Sequence, residues 1–188
     1  NQIFLLASEL QNKFSLSIAT PYDDFYLNKL KRLSLSNILF IERRAINLVD
    51  IFRIIYFLKT HQISIIHSHG KAAGVIGRIS AFITGIPLVH TFHGIHVSGN
   101  NFLSRFSYIL YEKFFGHIDR YDVYVSISER DMAAKYFLHP NNIITIIPNG
   151  VRNYYNKVNA KSARIKIRSQ LNISDDVISV ITVCSLEN

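Results

Sequence analysis

Short β-branched or aliphatic runs alternate with longer segments of helical periodicity along the whole of this 188-residue sequence. Few architectures satisfy that rhythm. Strands separated by a helix's length of chain cannot close as tight hairpins, so they run parallel, with helices laid over the sheet. The pattern predicts strands over 15–19, 37–41, 64–67, 88–91, 123–126, 143–147 and 177–184. It predicts helices over 1–13, 23–33, 47–62, 71–84, 102–116, 129–137 and 160–171. Strands covered on both faces read as continuous apolar runs, and 63–67 and 143–147 do so. The expected fold class is therefore α/β, a parallel sheet with helices on both faces.

Local signals agree. Gly85-Ile86-Pro87 ends one helix and opens a strand. Ser128 with Asp131 three residues on reads as a variant of the capping box. Ala73, Gly77 and Ala81 recur at four-residue spacing, with Gly74 beside them, a small-residue stripe that lets a helix sit close to a sheet.

Composition narrows the class. Hydrophobic residues make up 48% and charged residues 18%, as in a folded globular protein. The single cysteine, Cys184, excludes an internal disulfide, and its apolar setting reads as a buried small hydrophobe. No apolar run reaches the roughly 18 residues that span a bilayer, and the chain does not open with a basic segment followed by an apolar run. The expected compartment is the cytoplasm. Both ends read as cuts in a longer protein, since the chain begins within a helix pattern and ends just past an expected strand.

A net charge of +8 and a pI near 9.6 suit nucleic acid, an anionic membrane surface or phosphorylated substrates. Lys29, Lys31, Arg32, Arg43, Arg44, Arg53 and Lys59 form the densest basic stretch, read as solvated helix faces with anionic lipid as the alternative. Phe52, Tyr56, Phe57, Phe114 and Phe115 fall at helical spacing and are expected in the core.

The polar residues carry the functional reading. In an open parallel sheet, ligands bind beyond the carboxyl ends of the strands. Those ends lead into His67-Ser68-His69-Gly70-Lys71, His90-Thr91-Phe92-His93-Gly94-Ile95-His96, Ser126-Ile127-Ser128-Glu129 and Pro148-Asn149-Gly150, whereas the opposite connections are plain. His67 and His69 share a strand face, the spacing of a metal pair, but no carboxylate or cysteine completes a site, so hydrogen-bonded cleft histidines are expected. Lys71 near a helix start opposes the helix dipole, and a bound phosphate offsets that cost. Neither a dinucleotide fingerprint nor a P-loop is present.

These segments resemble a known family. The ordered set IIHSHGKAAGVIGRISAFITGIPLVHTFHG, DVYVSISERDMAAKYF and NNIITIIPNGV is similar to the N-terminal, acceptor-side domain of retaining glycosyltransferases of the GT-B fold, and more narrowly to family 4, which builds lipopolysaccharide, capsule and other bacterial glycans. The resemblance implies a Rossmann-like acceptor-binding domain over 1–157 that lacks the family's first strand and glycine-rich loop. It implies a crossover helix over 158–175, and over 176–188 the first strand of a nucleotide-sugar-binding domain. By the same resemblance His93 is the cleft histidine, treated as catalytic. Substrate contacts fall to His69, Gly70, Lys71, Gly94, Ser128, Asn149 and Gly150, with Glu129 mainly structural. Ser185 stands where the family often has a basic residue. The donor is a nucleotide-sugar used as a substrate, no cofactor or metal is expected, and the acceptor is lipid-linked or a polysaccharide. Peripheral contact with an anionic membrane at its inner face is a further expectation, and nucleic acid is not expected as a partner. The donor-site residues lie beyond Asn188, so this fragment alone is expected to be inactive. Two alternatives remain: a nucleotide-sugar 2-epimerase-like isomerase of the same fold, and a non-catalytic basic binding module. The PNG turn favours the transferase.

Overall fold

The structure, a computed structural model, describes residues 2–42, 46–95, 102–136, 138, 142–150 and 157–180. Its elements follow the predicted alternation: α1 (Gln2–Leu10), β1 (Leu16–Pro21), α2 (Asp24–Leu30), β2 (Leu35–Ile41), α3 (Leu48–Thr60), β3 (Ile66–His69), α4 (Gly70–Thr84), β4 (Leu88–Phe92), α5 (Phe102–Phe115), a 3-10 turn (Gly116–Ile118), β5 (Asp119–Tyr124), α6 (Ile127–Lys135), β6 (Ile143–Ile146) and α7 (Lys157–Gln170). The chain forms two compact units, 1–150 and 151–188. In the second unit, α7 is tied to the following loop by Arg168, whose guanidinium donates to the carbonyls of Ser174 and Val177. Of the strand expected over 177–184, residues 177–180 are described and are not in a strand; the remainder, with Cys184 and Ser185, lies outside the described residues.

Among the described residues every strand pairing is parallel, as the alternation requires. The strands form two sheets, however: β1 with β2, and β3-β4-β5-β6 in that order. An apolar groove lies between them, lined by Ser17 and Ala19 of β1, Ile66 of β3, and Ile54, Leu58 and Ile76 of the overlying helices. β5 begins earlier than predicted because its polar start, Asp119 to Asp122, is not a loop. Asp119 and Asp122 are buried, the first against Arg78 and the second accepting from Asn142 Nδ2 at 3.0 Å.

The helices form where their ends are capped and their inner faces are apolar. Asn47 caps α3 through its side-chain oxygen, which accepts from the Asp50 amide at 2.7 Å. Ile51, Ile54 and Leu58, at three- and four-residue spacing, pack with Ile76 of α4 into one core cluster. Phe92, Tyr108, Tyr124, Ala133 and Leu138 form a second. The small-residue stripe of α4 does what its spacing predicts: Gly74 rests on the His90 ring and Gly77 on Ser68. Gly85 ends α4 in the left-handed conformation, at φ 73°.

Two expectations are corrected. The cap of α6 is Ser126, not Ser128. Ser126 Oγ accepts from the Glu129 amide at 3.2 Å, and Glu129 Oε2 accepts from the Val125 amide at 3.1 Å, so the reciprocal pair sits two residues earlier than the Ser128–Asp131 spacing suggested. The aromatic residues assigned to the core lie mostly outside it. Phe52, Tyr56, Phe114 and Phe115 are exposed, and Phe57 is half-buried along the apolar groove. Helical spacing defines a stripe but not which way it faces. On α3 the aliphatic side chains take the inner face, and on α5 Tyr108 and Glu112 do.

Candidate functional site

Because β3, β4, β5 and β6 are parallel and adjacent, their carboxyl ends share one edge. His69 ends β3, His93 follows β4, Ser126 follows β5, and Pro148-Asn149 follows β6. This is the convergence that the spacing of polar turns predicted.

Two of those turns meet closely. Thr91 pairs with His69 across β3 and β4, and His67 Nε2 lies 2.8 Å from Thr91 Oγ1. The His67 and His69 rings stack with centroids 4.2 Å apart, and His69 stacks on His93 at 5.6 Å. His69 Nδ1 lies 3.3 Å from His93 Nε2. The three rings therefore form one column. Burial disfavours the charged form of His69, and the neighbouring His67 and His93 add repulsion, so its pKa falls from 6.5 to about 3. His67 is lowered by the same two causes, burial first and His93 second. Near neutral pH, His69 is an uncharged ring that gives or takes one hydrogen bond. If His69 Nδ1 donates, His93 Nε2 accepts; if His93 Nε2 donates, His69 Nδ1 accepts. Either way, the contact couples the hydrogen-bonding states of the two rings.

The opposite face of the same strands packs against α4. Ser68 and His90, partners in register, are buried, with Ser68 Oγ 2.7 Å from His90 Nδ1 and α4 pressed upon them. Gly70, at φ 75°, and Gly94, at φ 127°, carry the chain out of β3 and β4 in conformations that L side chains rarely adopt. Between those turns lies a small cleft lined by Gly70, Lys71, His90, Phe92, His93, Gly94, Tyr108 and Glu112.

Lys71 is the second residue of α4, whose N-cap, His69, makes no side-chain cap and whose first turn carries no acid. The Lys71 ammonium lies 5.5 Å from the Tyr108 ring centroid. A lysine, unpaired helix amides and neutral histidines together are a donor set for anionic or hydroxyl-rich ligands.

The structure thus brings Gly70, Lys71, His93 and Gly94 together around the cleft, and His69 does not line it but meets it through His93. Ser128, Asn149 and Gly150 share the edge but do not line the cleft. Ser128 is exposed, its Oγ 3.0 Å from Ser126 Oγ. The Gly150 carbonyl accepts from Gln2 Nε2 at 2.8 Å, and an added Cβ there would meet nothing. His96 and Val151 lie outside the described residues. Among the described residues, no group of three or more His, Cys, Asp or Glu side chains could hold a metal, and no helix is long and apolar enough to cross a membrane.

Sequence reasoning missed Tyr108 and Glu112. Both lie on the inner face of α5, and their four-residue spacing carried no sign of which strand ends they approach. It also missed Arg78, which anchors that wall. The guanidinium, 1% exposed, meets Asp119 in a bidentate pair at 2.9 and 2.6 Å and Glu112 at 2.9 Å. Burial alone would lower its pKa; the hydrogen bond and charge of Asp119, then those of Glu112, hold it above its ordinary value.

A parallel α/β domain with polar turns along the carboxyl edge of its sheet has the arrangement at which open α/β sheets bind ligands. Residues 1–153 match Glycosyltransferase Family 4, and the chain belongs to that family. Similar folds include a glycosyltransferase from Rickettsia africae ESF-5, with a TM-score of 0.68 at 16% identity over 94% of this chain and 46% of that one. Anabaena Alr3699/HepE, solved in complex with UDP and glucose, gives 0.66 at 15% identity over 90% and 45%. Acinetobacter baumannii MurG gives 0.52 at 14% identity over 84% and 44%. The chain spans less than half the length of each of these solved proteins. The fold is that of the N-terminal half of a GT-B glycosyltransferase. No curated protein matches the sequence.

Proposed function

We propose that the protein to which this chain belongs is a retaining glycosyltransferase. It moves a hexose-type sugar from a nucleotide-sugar donor to a lipid-linked or polysaccharide acceptor in bacterial surface glycan synthesis, and this chain supplies the acceptor side. The observation that carries the reading is the meeting of His69, Lys71 and His93 at the carboxyl ends of β3 and β4 in a chain of this family. A similar fold solved with UDP and glucose supports the donor class.

In this reading His93 orients the acceptor hydroxyl against the transferred sugar, and His69 fixes the tautomer in which it does so. Lys71 and the first amides of α4 hold a phosphate or the hydroxyls of the acceptor. Gly70 and Gly94 let the substrate reach the backbone, and Ser128, Asn149 and Gly150 extend the same edge. The leaving diphosphate meets fixed cations and amide dipoles rather than a metal ion. The enzyme works in the cytoplasm, against the inner face of the membrane.

The test uses the full-length protein. His93→Ala is expected to lower kcat about a hundredfold. Lys71→Ala is expected to raise the acceptor KM about tenfold at low salt, with kcat little changed. An unchanged transfer rate in the first, or an unaltered KM in the second, overturns the role given to that residue.

A further inference from the structure

One helical turn separates Tyr108 from Glu112, and α5 buries both. That places a carboxylate on the wall of the cleft that also carries Lys71. Tyr108 joins the two, since its ring centroid lies 5.5 Å from the Lys71 ammonium. Glu112 is 4% exposed. A buried carboxylate is tolerated where a cation meets it, and Arg78 does so at 2.9 Å. Arg78 does not neutralise that wall, because Asp119 holds the same guanidinium in a bidentate pair at 2.9 and 2.6 Å. One cation serves two carboxylates, so the network carries a negative charge in excess.

Size and charge then choose between the two kinds of group that Lys71 could hold. The cleft has a volume of about 20 Å³, and a water-sized group takes up roughly 10–15 Å³ by that measure. A hydroxyl or two fits; the four oxygens of a phosphate do not. A phosphate group also carries about 1.5 to 2 negative charges near neutral pH. It would meet a wall already negative, where burial strengthens the repulsion. A hydroxyl escapes that penalty. Its oxygen accepts from the Lys71 ammonium while its proton goes to the Glu112 carboxylate.

We propose that Glu112 is a specificity-determining residue of this cleft, forming with Lys71 a donor–acceptor pair that takes the hydroxyls of an uncharged sugar and rejects phosphate. The inference rests on the reading of the cleft as an acceptor site and narrows it. The group seated between Lys71 and Glu112 is a sugar hydroxyl, and any phosphate of a lipid-linked acceptor lies outside the cleft. Arg78 and Asp119 act at one remove, as positioning residues that hold the Glu112 carboxylate against the wall.

The experiment is an NMR titration of the isotope-labelled chain near neutral pH, following the amides of Gly70, Lys71 and Gly94. The probes are inorganic phosphate and the methyl glycosides of glucose, galactose and mannose. At least one glycoside is expected to bind at least about tenfold more tightly than phosphate. Glu112→Gln keeps the shape of the side chain and an oxygen for Arg78 but removes the charge. It is expected to weaken that glycoside about tenfold and to strengthen phosphate about fivefold. The opposite movements are the signature, since a variant that merely loosened the fold would lose both ligands together. Lys71→Gln leaves the buried network untouched and is expected to weaken the glycoside about fivefold. Phosphate binding more tightly than every glycoside, no glycoside shift at those amides, or a fall of both affinities in Glu112→Gln overturns the proposal. If glycosides are not selected and His93→Ala still slows transfer in the full-length protein, the specificity inference fails and the transferase reading stands. If Glu112 governs glycoside binding and the full-length protein moves no sugar, the reverse holds.

Discussion

An added Cβ at Gly74 would lie 2.7 Å from Cε1 of His90, and that ring has little freedom to retreat because Ser68 Oγ holds its Nδ1 at 2.7 Å. Gly74→Ala therefore forces α4 outward or breaks a buried hydrogen bond, and about 1–3 kcal/mol of stability is expected to be lost, read as a lowered Tm. The histidine column makes a pH prediction at the same scale. The unfolded chain binds a proton on His69 near 6.5, whereas the folded ring holds out to about 3. Stability contributed by the neutral ring is fully present above 6.5 and is lost as pH falls from there toward 3, because the unfolded state then binds more protons. His69 is partly solvent-exposed, so water screens much of the effect and the slope is modest. Melting between pH 7 and pH 5 should show Tm declining in the parent chain and declining less in His69→Asn; parallel slopes would contradict the assignment. His93, His69 and Lys71 were legible in the sequence because polar residues at strand ends break an apolar pattern. The tautomer coupling was not, since it depends on a ring-to-ring distance between residues 24 apart in the chain.

Elements are joined here by buried ions as well as by apolar contact. Arg78 of α4 reaches Glu112 of α5 and Asp119 at the start of β5, and stacks on the Tyr111 ring at 5.2 Å. Removing the cation leaves two carboxylates buried and facing each other, a loss that typically costs about 3–5 kcal/mol. Arg78→Met is therefore expected to lower Tm sharply, whereas Arg78→Met combined with Glu112→Gln and Asp119→Asn should recover part of the loss. If the triple variant is no more stable than the single one, the charges are not what hold α4 and α5 together. The cap of α6 is a smaller case of the same logic, and Ser126→Ala is expected to cost about 1 kcal/mol in chemical denaturation. Element identity was legible because strand and helix periods differ. Element ends were harder to read. Asp119 to Asp122 look like a loop until Arg78 and Asn142 supply their partners, and Ser126 and Ser128 are equivalent candidates until the backbone shows which amide each hydroxyl meets.

At the scale of the whole molecule, the expected single layer is two parallel sheets, and the difference carries energetic content. β4 and β5 are flanked on both sides and contain fully buried Leu88 and Tyr124. β1 and β2 pair only with each other, and none of their residues falls in the buried class. A strand's sequence reports its propensity and faces but not its neighbours, which is why the parallel direction could be read from the alternation while the break between β1 and β3 could not. A two-stranded ribbon is marginal by itself, so β1 and β2 depend on the helices packed against them. Local opening should follow that division. Native-state hydrogen exchange is expected to protect the amides of β4 and β5 most strongly, up to the global unfolding free energy, and to release those of β1 and β2 by a sub-global opening at lower denaturant. Because His67, His69 and His93 stand on β3 and at the end of β4, the candidate site rides on the more stable sheet, and its geometry should persist while the ribbon opens. Uniform protection across the six described strands would mean that the groove between the sheets is no mechanical boundary, and that both sheets open as one piece.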